Sequence, residues 1–291
     1  MIELSLNTLQ ELIQRGRSLL KELPHPQLET KLLLLKCLDL SEKEFFASKD
    51  ITVSRSQEKC FNRLISRRLA GVPLSYLTGI KEFWSLPFRV SPGVLIPRPE
   101  TELLVEKTLE LSKGGEEIIV DLGTGCGNIA VSLAQELPRA RIFATDTSQK
   151  ALRLARLNAS LQTVSGITFI RGSLFSPLDR LRLRKECDFI LSNPPYVSQV
   201  EWGKLSREIR DYEPRISLVA GKTGLEVIEQ IIQGAILYLK PGGYLLIEMG
   251  YDQRDKVRSI FDACSSWEKV EFFKDLAGVE RVAAARNSVL S

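Results

Sequence analysis

The residues Asn193-Pro194-Pro195-Tyr196 combine an amide, a rigid backbone and an aromatic ring within four positions. They follow the apolar run 188–192, which predicts a buried strand. Two consecutive prolines cannot continue a sheet, so the backbone there is expected to be stiff and extended. In open α/β sheets, ligands bind at the carboxyl ends of the strands. The sequence therefore places an amide side chain and an aromatic ring at a candidate binding edge.

This arrangement suits the binding of a planar, weakly nucleophilic NH2 group. The side-chain oxygen of Asn193 and a carbonyl oxygen of the Pro194-Pro195 pair are predicted to accept the two hydrogens, and Tyr196 to pack on the flat face. For these four residues alone, a proline-rich turn after a strand is the favoured alternative. A second group of motifs upstream reverses that preference.

A glycine-rich loop follows the first strand of the predicted α/β region. The strand 118–122 leads into Gly123-Thr124-Gly125-Cys126-Gly127, in which alternating glycines allow a sharp turn and a close approach to a ligand. At the end of the next predicted strand, Asp146 lies 19 residues beyond Gly127, where it can accept hydrogen bonds from both hydroxyls of a ribose. The loop and the carboxylate together predict a nucleoside cofactor.

The same residues separate two classes of nucleoside cofactor. The spacing G-x-G-x-G differs from the G-x-G-x-x-G of dinucleotide-binding loops, and no clear pyrophosphate site accompanies it. S-adenosylmethionine needs a ribose-binding acid, a glycine turn, an apolar adenine slot and an acidic group near its amino-acid end, and Asp121 is a candidate for the last role. With the Asn193 motif added, methyl transfer to an amide or an exocyclic amine is the leading interpretation.

Composition and residue counts exclude several other functions. The 291 residues are 44% hydrophobic and 26% charged, which allows one large α/β domain and a smaller one, and the net charge of +4 does not argue for a nucleic-acid partner. Five scattered cysteines without a C-x-x-C pair, and a chain without a targeting or membrane-spanning pattern, predict a cytoplasmic protein. The only histidine, His25, lies between two prolines, so neither an imidazole-based triad nor a histidine-rich metal site is expected.

Hydrophobic periodicity divides the chain into three segments. Residues 1–79 read as a small helical bundle, with helices predicted at Leu6–Leu23, Leu28–Leu38 and Cys60–Leu69. Residues 80–97 predict a linking β-hairpin with its turn at Ser91-Pro92-Gly93, and a helix runs from about Pro97 to Ser112. From residue 98 to residue 291, strands alternate with amphipathic helices, which predicts a doubly wound, mainly parallel sheet. The predicted strands are Ile118–Leu122, Arg141–Thr145, Ile167–Ile170, Asp188–Ser192, Tyr244–Met249, Trp267–Phe273 and Arg281–Ala285, and two of the helices are Ser148–Leu161 and Gly224–Leu239.

With these motifs the sequence resembles the HemK/PrmC family of protein-(glutamine-N5) methyltransferases over nearly its whole length. The N-P-P-Y motif is shared with nucleic-acid amino-methyltransferases, whereas the segment Arg98-Pro99-Glu100-Thr101-Glu102, joined to a helical N-terminal domain, makes the match specific. Other matching segments are Arg68-x-x-Gly71-x-Pro73-x-x-Tyr76-x-x-Gly79, Phe83-Trp84, Val94-Leu95-Ile96-Pro97, Asp121 to Ala130, Asp146 with Ala155 and Asn158, Glu213-Pro214, Gly224-Leu225, Gly242-Gly243 and Asp275-Leu276-x-Gly278.

The resemblance implies a fold, a reaction and partners. The implied fold is the class I S-adenosylmethionine-dependent methyltransferase fold, with a doubly wound, mainly parallel seven-stranded sheet, and residues 1–79 would dock the substrate. The implied reaction methylates the glutamine of the Gly-Gly-Gln motif in class I peptide-chain release factors, modulating translation termination and leaving S-adenosylhomocysteine. A monomer without membrane or direct nucleic-acid binding is expected.

The resemblance also assigns roles to individual residues. It implies catalytic roles for Asn193, Pro194 and Tyr196, and no metal. The substrate-binding set adds Pro195, Arg98 and Glu100 to these three residues. The cofactor-binding set is Asp121, Gly123, Thr124, Gly125, Cys126, Gly127, Asp146, Leu174 and Asn193, with Leu174 covering an adenine face.

Three alternatives share parts of this pattern. An adenine-N6 or other nucleic-acid amino-methyltransferase faces the same geometric problem at an exocyclic amine, but the chain has a weak net charge and no recognisable target-recognition region. A nucleotide-binding or ribosome-associated module without catalysis leaves the intact motifs at 123–127, 146 and 193–196 unexplained. An NAD-dependent oxidoreductase would need the pyrophosphate site that the loop does not clearly offer.

Overall fold

The computed structural model describes residues 7–47 and 51–288. The predicted helix start at Leu6 lies outside the described residues. The helices are, in chain order, α1 (Leu9–Leu19), α2 (Pro26–Leu38), α3 (Glu42–Ala47), α4 (Arg55–Leu69), α5 (Leu74–Thr78), α6 (Glu102–Leu111), α7 (Asn128–Glu136), α8 (Gln149–Leu161), α9 (Ser176–Arg180), α10 (Gln199–Trp202), α11 (Arg207–Tyr212), α12 (Glu226–Ala235) and α13 (Arg254–Asp262). The strands are β1 (Ile80–Phe83), β2 (Leu86–Arg89), β3 (Ile118–Leu122), β4 (Arg141–Asp146), β5 (Ile167–Arg171), β6 (Cys187–Ser192), β7 (Val197–Ser198), β8 (Val219–Gly221), β9 (Leu239–Glu248), β10 (Trp267–Lys274) and β11 (Glu280–Asn287).

The elements form two compact units. The first combines the described residues up to Gly79 with α11, and the second combines Ile80–Ser206 with the described residues from Glu213 onward. The return of α11 to the first unit was not part of the predicted organisation. The domain bounds 1–79, 80–97 and 98–291, and the docking role of the first of them, stay predictions.

Capping residues set where the long helices of the first unit begin. Thr8 and Glu11 form a capping box that starts α1 at Leu9. A second box starts α4 at Arg55, five residues before the predicted start at Cys60. In that box the Gln57 N–H donates to the Ser54 hydroxyl at 3.3 Å, and the Ser54 N–H donates to Gln57 Oε1 at 3.0 Å. The predicted start was late because it relied on apolar periodicity, which the polar first turn of α4 lacks.

A buried ion pair joins α2 to the end of α4. Arg68 donates from Nε to Glu29 Oε2 at 2.6 Å and from Nη2 to Glu29 Oε1 at 3.1 Å. The two side chains are only 7% and 8% exposed, so little solvent screens their attraction. Arg68 Nη1 also donates to the Val72 carbonyl and to Glu208 Oε2, both at 3.1 Å. The guanidinium thus connects α2, the segment after α4 and α11 within the first unit.

The predicted hairpin is present, but its turn lies elsewhere. Strands β1 and β2 pair antiparallel with Phe83 opposite Leu86, and the turn is made by Trp84 and Ser85, whose φ angles are +53° and +57°. A turn also forms at Ser91, where the Val94 N–H donates to the Ser91 carbonyl at 3.2 Å. Residues 94–96, which the prediction placed in the second arm of the hairpin, form no strand, so the prediction of a hairpin around Ser91-Pro92-Gly93 was wrong. The backbone N–H of Ile96 donates instead to the side-chain carboxylate of Glu213.

The central sheet has the predicted doubly wound topology. Within residues 7–47 and 51–288 it contains seven strands in the order β10-β11-β9-β6-β3-β4-β5, all parallel except β11. From β3 the chain first winds outward through β4 and β5, then returns to place β6 on the other side of β3. Such a switch in winding direction opens a crevice at the carboxyl ends of the two central strands.

Helices cover both faces of this sheet. Alternate residues of β3 point to opposite faces, with Ile119 in one core and Val120 in the other. Helices α6, α7 and α8 and the β1–β2 hairpin pack on the first face, and α9, α12 and α13 pack on the second. Helices therefore cover both faces of the sheet, and the edge at the carboxyl ends of its strands remains accessible to a ligand.

The buried pair in the first unit is expected to be sensitive to loss of one partner. Arg68→Leu leaves the Glu29 carboxylate buried and uncompensated, so we expect the free energy of unfolding to fall by about 3–5 kcal/mol. Urea unfolding followed by helical circular dichroism measures it. Lys21→Leu removes the same charge from a pair that is 72% and 87% exposed, and little change is expected. Equal effects of the two substitutions would contradict this account.

Candidate functional site

A cavity of about 350 Å³ lies at the carboxyl ends of the central strands. In the parallel register Leu122 of β3 is beside Thr145 of β4 and beside Ser192 of β6, so these strands end at the same level. The loops that follow the strand ends, together with the segment 93–98, line the cavity. Its volume is within the range of small-molecule sites.

The glycines at 123 and 127 are required for two different physical reasons. Gly123 has a φ of +76°, and a Cβ there would meet nothing within 4 Å, so its backbone conformation is the requirement. At Gly127, with a φ of +87°, a Cβ would also lie 3.0 Å from the Cβ of Ala155 in α8. The start of α7 therefore packs closely on α8, while the Gly123–Gly125 part of the loop faces the cavity.

Asp146 ends β4 with its carboxylate held by backbone N–H groups. Oδ2 accepts from the Gly125 N–H at 2.9 Å, and Oδ1 accepts from the Ser148 N–H at 2.8 Å. Burial raises the pKa of this carboxyl above its ordinary value, while the backbone donors lower it. The carboxylate lines the cavity in a fixed orientation and has lone pairs left for two hydroxyl donors.

Asp121 lies beneath the cavity and does not line it. It is fully buried, and its Oδ2 accepts from the Thr124 hydroxyl at 2.6 Å. Its Oδ1 is buried without a hydrogen-bond partner among the described residues. Burial, with a smaller contribution from the charge of Asp146, raises the pKa of Asp121 to about 7. The side chain fixes the glycine loop from below through Thr124.

Asn193 stands at the end of β6, where strand pairing stops. The neighbouring Ser192 hydroxyl donates to the Leu122 carbonyl at 2.8 Å, which ties the ends of β6 and β3 together. Asn193 donates from Nδ2 to the Thr101 hydroxyl oxygen at 2.9 Å, and Thr101 donates onward to Glu248 Oε2 at 2.6 Å. Among residues 7–47 and 51–288, no donor contacts Asn193 Oδ1, and Asn193 lines the cavity.

Tyr196 turns away from the cavity. Its hydroxyl donates to Glu248 Oε1 at 3.2 Å, and its ring packs against the core on the second face of the sheet. Burial raises the pKa of its phenol well above the ordinary value. Its carbonyl accepts from Gln253 Nε2 at 2.9 Å, and the same nitrogen donates to the Gly224 carbonyl at 3.3 Å. Gln253 Oε1 accepts from the Gly250 N–H at 2.8 Å, so one amide connects three loops.

Arg98 and Glu100 have different surroundings. Arg98 lines the cavity and donates from Nη2 to Glu213 Oε1 at 2.5 Å. The other oxygen of the buried Glu213 accepts from the Ile96 N–H at 3.2 Å. Glu100 is only half-buried and lies outside the cavity lining.

The structure brings most of the predicted site residues to one cavity. Those that line it are Arg98, Gly123, Thr124, Gly125, Cys126, Asp146, Leu174, Asn193, Pro194 and Pro195. Those that lie outside the lining are Glu100, Asp121, Gly127 and Tyr196. Leu174 has a φ of +45° and lines the cavity, while the next residue, Phe175, stacks on Tyr238 at a ring distance of 5.1 Å.

Two polar residues of the site were not predicted. Thr101 belongs to the segment 98–102 that matches the family but carries no predicted role there, and Glu248 reads as structural from the sequence. A usable signal existed for Glu248, because it ends a strand of the parallel sheet as Asp146 does. Its pKa is raised to about 7 by burial, while hydrogen bonds from Thr101 and Tyr196 lower it.

Other site types are not seen in the described part of the chain. Residues 7–47 and 51–288 contain no cluster of three metal-ligating side chains. The same residues contain no helix with the length and apolar character needed to cross a membrane.

Known proteins resemble both parts of this chain. The family model of the PrmC N-terminal domain matches residues 11–79, and that of the methyltransferase small domain matches residues 99–209. The release factor glutamine methyltransferase of Nitratidesulfovibrio vulgaris is 41% identical over 287 residues, which cover 97% of this chain and 96% of that protein. The release factor glutamine methyltransferase of Coxiella burnetii is 40% identical and covers 90% of this chain and 92% of its own.

A solved structure supports the fold independently of sequence. The methyltransferase from Pyrococcus furiosus superposes with a TM-score of 0.51 at 18% identity, covering 78% of this chain and 98% of that one. Together with the strand order, this likeness confirms the predicted class I methyltransferase fold.

The raised pKa of Asp121 has a consequence for stability. Between pH 4 and pH 7 the folded protein keeps a proton on this carboxyl that the unfolded chain releases, so Asp121 makes the fold less stable as pH rises through this window. Asn at this position does not titrate, so we expect Asp121→Asn to become more stable relative to the native protein as pH rises. The difference in free energy of unfolding should be about 2–4 kcal/mol more favourable to the variant at pH 8 than at pH 5. Urea unfolding at both pH values measures this difference.

The control for that measurement is a buried residue that does not titrate. Ser132→Ala in α7 is expected to change stability by the same amount at both pH values, since no proton is involved. A pH-independent difference for Asp121→Asn would show that its carboxyl is ionised throughout.

Proposed function

Because this chain belongs to the release factor glutamine methyltransferase family, we propose that it methylates the side-chain amide nitrogen of a release-factor glutamine. The substrate glutamine is that of the Gly-Gly-Gln motif in class I peptide-chain release factors, and methylation modulates translation termination. The methyl donor is S-adenosylmethionine, and the product is S-adenosylhomocysteine. The free Asn193 Oδ1 at the cavity wall is the observation that carries the proposal.

The cavity residues fit this cofactor. The Asp146 carboxylate would accept both ribose hydroxyls, because its remaining lone pairs face the cavity while backbone N–H groups hold the others. The Gly123–Gly125 backbone leaves room at the positions where side chains would stand, and Leu174 offers an apolar face for adenine. When bound, S-adenosylmethionine supplies a sulfonium-activated methyl group.

The task left to the protein is to orient a poor nucleophile. The nitrogen of a glutamine amide has a delocalised lone pair, so it attacks only when the two N–H bonds are held in a suitable plane. Asn193 Oδ1 and the Pro194 carbonyl oxygen accept these hydrogens, which directs the lone pair to the methyl group and stabilises positive charge that builds on nitrogen. Alignment of this kind is worth on the order of 7–11 kcal/mol of barrier.

The leaving proton does not need an imidazole base. The only histidine, His25, is exposed in the first unit. With S-adenosylmethionine held at Asp146 and the glycine loop, its sulfur would leave with the electron pair of the C–S bond as the N–C bond forms, and the substrate nitrogen would pass its proton to water. The Asn193 and Pro194 oxygens act by hydrogen bonding and accept no proton in this scheme.

Three further properties follow from the family resemblance. The docking of the release factor on residues 1–79, a monomeric state and a cytoplasmic location belong to this proposal. The match of residues 11–79 to the PrmC N-terminal domain supports the first. The five cysteines are odd in number and include no C-x-x-C pair, which supports a reducing compartment.

The substrate class is tested by transfer of labelled methyl from S-adenosylmethionine. We expect label on a purified class I release factor and none on its Gln→Ala loop variant, because the amide nitrogen is the acceptor. Duplex DNA is offered in parallel as the substrate of the alternative, an adenine-N6 methyltransferase. Label on DNA, or on the Gln→Ala variant, would overturn the assignment.

Asn193→Ala tests the amide-binding role. We expect kcat to fall by at least about 100-fold, as when a preorganised hydrogen-bonding group is removed from a reacting centre. The dissociation constant of S-adenosylhomocysteine, measured by calorimetry, and the melting temperature serve as controls and should change little. Retention of most of the activity would refute the role of Asn193.

A further inference from the structure

Three residues far apart in sequence form a continuous chain of hydrogen bonds behind the cavity. Asn193 follows β6, Thr101 precedes the first residue of α6, and Glu248 ends β9. Asn193 Nδ2 lies 2.9 Å from Thr101 Oγ1, which lies 2.6 Å from Glu248 Oε2. Thr101 occupies the N-cap position of α6, yet its hydroxyl makes no capping bond and is committed to this chain. Thr101 and Glu248 are each only 1% exposed, so water does not replace either bond.

The direction of each bond follows from the chemistry of Glu248. An ionised carboxylate only accepts, so the single hydrogen of the Thr101 hydroxyl must point to Glu248. Thr101 Oγ1 then has only lone pairs to offer to Asn193, and the group that faces it must be the NH2 end of the amide. The opposite end, Oδ1, is thereby turned to the cavity. The reverse orientation would place two acceptors, Thr101 Oγ1 and Asn193 Oδ1, against each other.

We infer that Glu248 and Thr101 are positioning residues that keep the acceptor end of the Asn193 amide toward the substrate. This inference rests on the proposed function, in which Asn193 Oδ1 accepts a hydrogen of the substrate amide. Either end of an Asn amide fits the same space, and only one end accepts hydrogen bonds. An Asn193 turned the other way would present its own NH2 group to the substrate NH2 group and bind it poorly.

Tyr196 completes the arrangement from the other side of Glu248. Its hydroxyl donates to Oε1 at 3.2 Å, so both oxygens of the carboxylate accept bonds from hydroxyl groups. This contact gives the Tyr of the N-P-P-Y motif a role outside the cavity lining. The motif therefore supplies Asn193 and one of the two donors that hold the carboxylate to which Asn193 is connected.

The groups around Glu248 have opposing effects on its pKa. Burial raises its pKa to about 7, the hydrogen bonds from Thr101 and Tyr196 lower it, the nearby Glu100 raises it and Arg281 lowers it. Arg281 is itself paired with Asp275 at 3.1 Å, which limits its effect on Glu248. The carboxyl therefore titrates close to neutral pH.

Protonation of Glu248 would reverse the donor and acceptor in both hydrogen bonds that link Glu248, Thr101 and Asn193. A protonated carboxyl can donate to Thr101 Oγ1, and the Thr101 hydrogen is then free to point to Asn193, which favours Oδ1 on that side. The NH2 end of Asn193 then faces the cavity. Because the active arrangement needs the ionised form, kcat should be highest above pH 7 and fall as pH drops through about 7.

The test compares variants of the two positioning residues with matched controls. Thr101→Val keeps the side-chain shape and removes the hydroxyl, and Thr101→Ser restores it. Thr108→Val removes a fully buried hydroxyl from α6, the helix that begins after Thr101; this hydroxyl donates to the Leu104 carbonyl at 2.7 Å and has no hydrogen bond to the site. Single-turnover rates at saturating cofactor and release factor are measured from pH 6 to pH 9, with melting temperatures and cofactor dissociation constants for each variant.

We expect Thr101→Val to lower the rate about 10- to 100-fold without weakening cofactor binding, a size typical of a misdirected reacting group. Thr101→Ser should recover most of the loss. Thr108→Val should lower the melting temperature and leave the rate near that of the native protein. If Thr101→Val loses no more rate than Thr108→Val, while Asn193→Ala remains inactive, the positioning role is wrong and the proposed function stands.

Glu248→Gln tests the pH dependence separately. Glutamine cannot ionise and can direct either end of its amide to Thr101, so we expect a reduced rate and no fall of the rate near pH 7. Glu117→Gln alters another buried carboxyl that accepts a hydroxyl hydrogen bond, from Ser112, and should keep the native pH profile. An unchanged acid limb in Glu248→Gln would overturn the inference. Near-native activity of Asn193→Ala would instead refute the amide-binding role of Asn193, and a native protein that labels no release factor would refute the proposed function.

Discussion

The parallel register of β3, β4 and β6 is the constraint on which the site depends. Leu122 lies beside Thr145 on one side and Ser192 on the other, so the three strands end at one level. Because parallel strands point the same way, the residues after their ends meet at one edge of the sheet. A one-residue slip of β6 would turn Ser192 to the opposite face and carry the Asn193 amide away from Thr101. The site is a consequence of this pairing before it is a consequence of any single side chain.

Three buried carboxylates lie behind the loops that border the cavity. Asp121 accepts from Thr124 of the glycine loop, Glu213 accepts from Arg98, and Glu248 accepts from Thr101. Burial of a carboxylate is unfavourable unless donors satisfy it. In each case a donor to at least one of the two oxygens belongs to a segment that lines the cavity. Burial of these carboxylates therefore lowers the stability of the fold, while their hydrogen bonds fix the geometry of the loops.

The sequence allowed the sheet and most of the cavity wall to be predicted, because both depend on local signals. Strands buried on two sides read as apolar runs, and the glycine loop and Asp146 occur at strand ends. The hairpin turn was misplaced, because Ser91-Pro92-Gly93 is a stronger turn pattern than Trp84-Ser85, which forms the turn. Thr101 and Glu248 were missed for another reason: they are 147 positions apart, and their contact exists only after β9 and α6 pack together.

The amide of Gln253 contacts the loops at Tyr196, Gly224 and Gly250 at once. A loop held in this way has few conformations to lose when a substrate arrives. The entropic penalty of forming the complex must then fall on the incoming glutamine-bearing segment, whose side chain has several rotatable bonds to fix. A segment already rigid in the matching shape would bind far better than a short flexible peptide of the same residues. Recognition would thus depend on the conformation in which the glutamine is presented, in addition to the amino-acid sequence on either side of it.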